Sequence, residues 1–204
     1  MLDDSQLKEL CSKMGVPLAK VCFKDELPRK LEYNKAYIIN LDNSMDEQGN
    51  ENEGTHWTCL QIMSYPSGKI EPIFFDPYGA EPSVSIIKAV KDTCGKFLPH
   101  TKKDIQSLMN NACGWYCCAF LHFINESQFR TKDLYDDVNT FLDLFDDLNI
   151  SIDFKKNEYI LKHFFQSNDP KLRRAIDIVS PTEHITSEDA KGAMRIPVEC
   201  NIMK

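Results

Sequence analysis

An α+β fold, with a mixed and mainly antiparallel sheet packed against a buried central helix and further helices, is predicted by three observations. Residues 56–64 and 70–76 are β-prone runs joined by Tyr65-Pro66-Ser67-Gly68-Lys69, a turn-forming stretch, and so form an antiparallel hairpin. From Gly114, the run Trp115-Tyr116-Cys117-Cys118-Ala119-Phe120-Leu121-His122-Phe123 leaves no polar face, which marks a helix buried on all sides. Leu134, Val138, Phe141, Leu142, Phe145 and Leu148 recur at helical spacing with aspartates opposite, the stripe of a helix that covers a core.

The remaining elements follow in chain order. Leu7, Leu10 and Cys11 sit at helical spacing behind Asp4 and Ser5, and Gly15 with Pro17 stops this opening helix over residues 4–14. Residues 36–41 read as a strand, and 42–54 as an acidic surface loop with no apolar period. Glu81-Pro82-Ser83 opens a helix that runs through Ile86, Ile87 and Val90 to Cys94-Gly95. Residues 97–98 and 105–109 read as short strands. The Leu134 stripe is expected to end at Asn149, residues 156–166 form another helix, and Asp169-Pro170 starts a last one through Val179. Residues 180–204 have little period and read as a loosely packed tail of a single domain spanning 1–204, with no internal repeat and no second core.

Composition bounds the function. At 204 residues and 42% hydrophobic, the chain can bury a full core without disulfides. A net charge of -7 argues against a protein that coats nucleic acid or an anionic membrane, which leaves a polypeptide as the expected partner. Met1-Leu2-Asp3-Asp4-Ser5 lacks the features of a secretory signal, so no export is expected, and the apolar run 112–124 is too short to cross a bilayer. The eight cysteines read as mostly reduced, buried thiols of a cytosol-like compartment.

One of those thiols stands apart. Cys113 lies at the mouth of the buried helix between Ala112 and Gly114, small neighbours that would let a substrate backbone approach. A helix N-terminus and a neighbouring imidazolium both favour the thiolate, the nucleophilic form. The hairpin supplies the second device. If its turn centres on Ser67, partners sum to 134 or 135, so His56 falls opposite Tyr78 or Gly79 and Asp76 is two or three residues away. An even sum puts His56 and Asp76 on one face, an odd sum does not, and the parity stays open at this point. In that arrangement His56 is the general base and acid, Asp76 fixes its tautomer, and Trp57 walls the ring from water. The Gln106 amide and the Cys113 backbone N–H would hold the oxyanion, a contribution of roughly 3–4 kcal/mol per donor.

The wording Ala112-Cys113-Gly114 followed by Cys117-Cys118-Ala119-Phe120-Leu121-His122, then Thr55-His56-Trp57, then Gln106 at its interval from Cys113, resembles the adenovirus-type maturation proteases (adenains) and, more broadly, the Ulp-type SUMO proteases. Gly54-Thr55-His56-Trp57 and Asp76-Pro77-Tyr78-Gly79 are also similar to proteases of virophages and Polinton-type elements. The specific match covers about residues 54–124, with weaker similarity at the N-terminus and over 157–165. The resemblance implies a papain-like fold with chain order His, Asp, Cys. It also implies cleavage of viral capsid or core precursors at glycine-containing motifs, in the virion and the infected-cell cytoplasm or virus factory. The adenoviral acid is Glu where this chain has Asp76, as other relatives do. Adenains use DNA and a disulfide-linked peptide as activators. The acidic charge here weighs against DNA, whereas Cys94 sits within a residue of the disulfide-forming position and so could join an activating peptide.

Each residue also has an ordinary reading. Cys113 alone is a buried structural thiol, His56 a satisfied core histidine, and Asp76 a turn residue before Pro77; only their combination favours chemistry. Cys113, Cys117, Cys118 and His122 lie at one-turn spacings, but no CxxC pair accompanies them, so neither a metal nor any other required cofactor is expected. The basic residues Lys155, Lys156, Lys162, Lys171, Arg173 and Arg174 read as a solvated face, with contact to nucleic acid or a virion scaffold as the alternative that stays open. Rival functions are a ubiquitin-like protein protease using the same four residues, an acyltransferase on the same scaffold, and a catalytically silent binding module.

Overall fold

The computed structural model of the chain describes residues 1–108, 110–126, 133–150 and 154–165. Helix α1 (Asp4–Lys13) leads into strand β1 (Leu18–Phe23), a 3-10 turn over Lys24–Glu26, and strand β2 (Ala36–Asn40). The hairpin β3 (Trp57–Ser64) and β4 (Ile70–Phe75) follows, then helices α2 (Val84–Cys94), α3 (Cys113–Asn125), α4 (Leu134–Leu142) and α5 (Phe154–Phe165). The four strands form one mixed sheet in the order β1-β2-β3-β4, with β1 parallel to β2 and the other pairs antiparallel. The α+β reading with a mainly antiparallel sheet therefore stands.

Alternation along the strands sends side chains to two cores, one on each face of the sheet, so the expectation of no second core is corrected. Ile38, Trp57, Cys59, Met63, Ile73 and Phe75 pack with α1, α3, α4 and α5, while Tyr37, Ile39, Leu60, Ile62 and Phe74 pack with Ile86, Ala89 and Val90 of α2. Every residue of α3 from Cys113 to Ile124 is buried, as its uniformly apolar run requires. Phe75 stacks on Phe120 at 4.3 Å, and the edge of Phe141 closes on both rings.

Helix α3 lies along β3 in a fixed register. Gln61 and Asn125 exchange side-chain hydrogen bonds of 2.9 and 2.8 Å at one end, and the Cys117 thiol donates to the Trp57 carbonyl at 3.4 Å nearer the other. Eight helical residues rise about 12 Å and four strand residues about 13 Å, so the two contacts match in length. One more turn of α3 carries Cys113 past Trp57, to the level of His56.

Several expectations need correction. Strand β1 was not legible, because it follows Pro17, contains an irregularity between Leu18 and Lys20, and buries only Val21 and Cys22. Residues 97–98 and 105–108 are not strands: the β4 edge is met instead by residues 99–101, where Phe74 N–H donates to the Pro99 carbonyl and Thr101 N–H to that of Phe74. Helix α4 stops at Leu142 rather than Asn149. Tertiary partners take the backbone groups that would have continued it, since Asp146 N–H donates to Asn157 Oδ1 at 2.7 Å and Leu148 N–H to the Asp104 carbonyl at 2.8 Å. Pro82 precedes α2, whose N-cap is Ser83 and whose C-cap is Gly95 in the left-handed conformation. Met109, the helix read over 169–179, the tail 180–204, Lys171, Arg173, Arg174 and Cys200 lie outside the described residues.

Candidate active site

The β3–β4 hairpin pairs Cys59 with Phe75 and Ser64 with Ile70, an even sum of 134 throughout. Continued past the strand ends, that register sets His56 opposite Tyr78 and leaves Asp76 on the same face. The side chains meet: His56 Nε2–H donates to Asp76 Oδ1 at 2.8 Å. Tyr78 N–H donates to the same oxygen at 2.8 Å, so the carboxylate is oriented from its own turn.

That turn is tightly enforced. Gly79 has φ +70, its N–H donates to the Asp76 carbonyl, and a Cβ there would lie 2.5 Å from the Lys102 carbonyl oxygen. Only glycine fits. The Pro77 carbonyl in turn accepts from the N–H groups of Ile105 and Gln106, which brings Gln106 beside Tyr78. Before His56, Gly54 has φ +75 and approaches the buried side chain of Asn40 closely, anchoring the entry to β3.

Nδ1, the second ring nitrogen of His56, is buried without an aligned hydrogen-bond partner, and the Cys113 thiol is near enough to act on the ring. Burial disfavours the charged imidazole. The Asp76 hydrogen bond, the Cys113 thiol and the negative charge of both partners outweigh burial and raise its pKa from 6.5 to about 9. With Nε2–H held by the carboxylate, Nδ1 is the nitrogen left to take a proton from sulfur.

Cys113 is the first residue of α3, and its N-cap is Ala112, which has no side chain able to cap. The Tyr116 N–H makes the first intrahelical bond, to the Ala112 carbonyl, so the N–H groups of Cys113, Gly114 and Trp115 have no intrahelical acceptor. The sulfur is less open than expected: Cys113 is only 2% exposed. The space beside Gly114 is filled as well, since a Cβ there would lie 3.0 Å from Leu7 and 3.4 Å from Leu2. Gly114 thus allows close packing of the N-terminal segment. Trp57 donates its indole N–H to the Leu2 carbonyl at 2.9 Å, and the ring that covers the imidazole is Tyr78, stacked at 4.4 Å and 21°.

Gln106 is 1% exposed. Its Nε2 donates to the Tyr78 hydroxyl oxygen and to the Asn110 carbonyl, each at 3.2 Å, while its Oε1 has no partner. Asn110 continues this chain of contacts, accepting from Ala112 N–H at 3.2 Å and donating to Glu158 of α5. Asn157, fully buried, donates to the carbonyls of Ile105 and Asp146. Helix α5 therefore braces the loop that leads to Cys113 at its start, through Ile105, and at its middle, through Asn110. The structure brings His56, Asp76, Gln106 and Cys113 to one place, and it adds Tyr78, Asn110, Asn157 and Glu158. Tyr78 had a signal in the hairpin arithmetic, which put it across from His56. Asn157 and Glu158 had only the weaker resemblance over 157–165, and Asn110 had none.

Cys94 is half-buried, a free thiol that donates to the Val90 carbonyl at 3.3 Å. The one-turn set on α3 disperses: Cys118 faces Cys11 at 3.7 Å, Cys117 faces Trp57, and His122 Nδ1 meets the Met14 carbonyl at 2.9 Å. Among the described residues, no group of three or more candidate ligands is placed to hold a metal ion, and no helix is long and apolar enough to cross a membrane. No protein-family model matches the chain, and no curated protein matches it significantly.

Proposed function

We propose that this chain is a cysteine endopeptidase whose nucleophile is Cys113. The observation that carries the reading is the placement of His56, with one nitrogen on Asp76 and the other toward the thiol, at the uncapped start of α3. His56 holds the sulfur's proton, and the sulfur anion attacks the scissile carbonyl. The S–C bond forms as the carbonyl π pair moves to oxygen. On collapse the C–N bond breaks and His56 protonates the departing amine. Water then attacks the thioester, His56 takes its proton, and the S–C bond breaks to release the acid and restore the anion. The developing oxyanion is held at the start of α3, where the Cys113 N–H donates to it.

The resemblance of residues 54–124 to adenain-type proteases points to viral capsid or core precursors as substrates, cut at glycine-containing motifs in the virion or the infected-cell cytoplasm. It also assigns Cys94 to an activating peptide joined by a disulfide, an assignment compatible with the free thiol there. The test is electrophile labelling at mildly acidic pH together with cleavage of glycine-containing polypeptides, in the parent, Cys113→Ser and His56→Ala. Fast labelling and cleavage by the parent alone are expected. Equal labelling of all three overturns the activated thiol, and activity confined to ubiquitin-like conjugates overturns the substrate class.

A further inference from the structure

The Gln106 amide has two N–H hydrogens, and both are engaged. The atom facing the Asn110 carbonyl must be Nε2, because two carbonyl oxygens would repel at 3.2 Å. That carbonyl therefore fixes which way the amide lies, and the second hydrogen goes to the Tyr78 oxygen. Oε1 is an acceptor and cannot steady an oxyanion. In this arrangement Gln106 has no donor left for substrate.

Tyr78 has one. Its oxygen accepts from Gln106, so its own hydrogen must point elsewhere, and among the described residues no group accepts it. Its ring lies flat on the imidazole that serves Cys113, and the residue is half-buried, open enough to touch a bound chain. Burial, with the charges of Cys113 and Asp76 adding to it, raises the phenol pKa above its usual range and keeps that hydrogen in place at neutral pH.

Resting on the endopeptidase reading, we infer that the Tyr78 hydroxyl, with the Cys113 backbone N–H, donates to the oxyanion, and that Gln106 acts through Tyr78. Tyr78 is then a catalytic residue and Gln106 a positioning residue, which orients the hydroxyl by occupying its lone pair. Accepting from the amide also polarises the O–H and strengthens its donation.

Tyr78→Phe keeps the stacked ring and removes only the hydroxyl. With a peptidyl-Gly-Gly aminocoumarin amide as probe, kcat is expected to fall about 10²–10³-fold while KM stays within about twofold. Alkylation of Cys113 by iodoacetamide, a displacement that forms no oxyanion, is expected to keep the parent's rate and so also reports a folded site. Gln106→Ala is expected to slow the parent, yet to slow Tyr78→Phe by less than about tenfold more, as two residues acting as one unit do. A Tyr78→Phe enzyme as fast as the parent, or faster because Gln106 has been released, overturns the inference. Loss of alkylation in step with turnover overturns it too, by reducing Tyr78 to a prop for His56. A parent that hydrolyses no amide in a Cys113-dependent way removes the endopeptidase reading, and the Tyr78 role falls with it.

Discussion

Cys113 and Cys117 sit one turn apart on the same face of α3, and both are buried, at 2% and 0% exposure. Their surroundings differ. The Cys117 thiol donates to the Trp57 carbonyl and lies beside Cys59. Burial, reinforced by that neighbour, pushes its pKa well above the usual thiol range. Cys113 instead meets an imidazole whose pKa is raised to about 9, at a helix end with free N–H donors. Burial alone thus does not distinguish the two thiols. What separates them is whether a cation and a set of donors face the sulfur.

The contrast is broken most sharply at Asp76. Asp76→Asn keeps the side-chain volume but lets the amide hold the wrong tautomer, so kcat is expected to fall about 10²–10⁴-fold, or roughly 3–5 kcal/mol of transition-state stabilisation. Steady-state kinetics on the glycine-ended amide reads this directly, and a loss below about tenfold would mean that Asp76 serves only the turn.

A second measurement uses pH. The folded pKa of His56, about 9, lies above its ordinary 6.5, so the protonated ring favours the folded state. Its contribution is complete below pH 6.5, declines as pH rises from there, and is gone above about 9. The full difference is on the order of 3 kcal/mol. Denaturant unfolding across that window should show the parent losing more stability than His56→Gln, and parallel curves would rule out the charged pair.

The smallest expected effect belongs to the comparison thiol. Cys117→Ala removes a buried sulfur and should cost about 1–2 kcal/mol of stability without changing the rate at which electrophiles label Cys113. A slowed labelling rate would show that the two thiols are coupled, and the contrast between them would need to be redrawn.

Much of this site was legible because it is local. His56 and Asp76 belong to one hairpin, and the turn 65–69 limits the register to two choices that differ only in parity. The 134 sum then sets both residues on one face. Helix α3 was legible for a different reason, since a segment without a polar side has nowhere to go but the interior. The length of α4 was not legible, because Asn157 and the Asp104 carbonyl take the backbone groups of residues 146 and 148. Strand β1 depends likewise on β2 as a parallel partner reached through a crossover, and its own residues carry little alternation.

The chain alone determined the hairpin that brings His56 and Asp76 near one another, up to its parity, and the apolar helix with a cysteine at its mouth. Folding in three dimensions decided what lies against them. Leu2 and Leu7 fill the side of Gly114, Asn110 sets the lie of the Gln106 amide, and α5 braces the loop that leads to Cys113. The reason is physical. Residue spacing fixes neighbours along a strand or a helix, whereas contacts between distant segments depend on how whole faces pack, and that is settled only when the cores close.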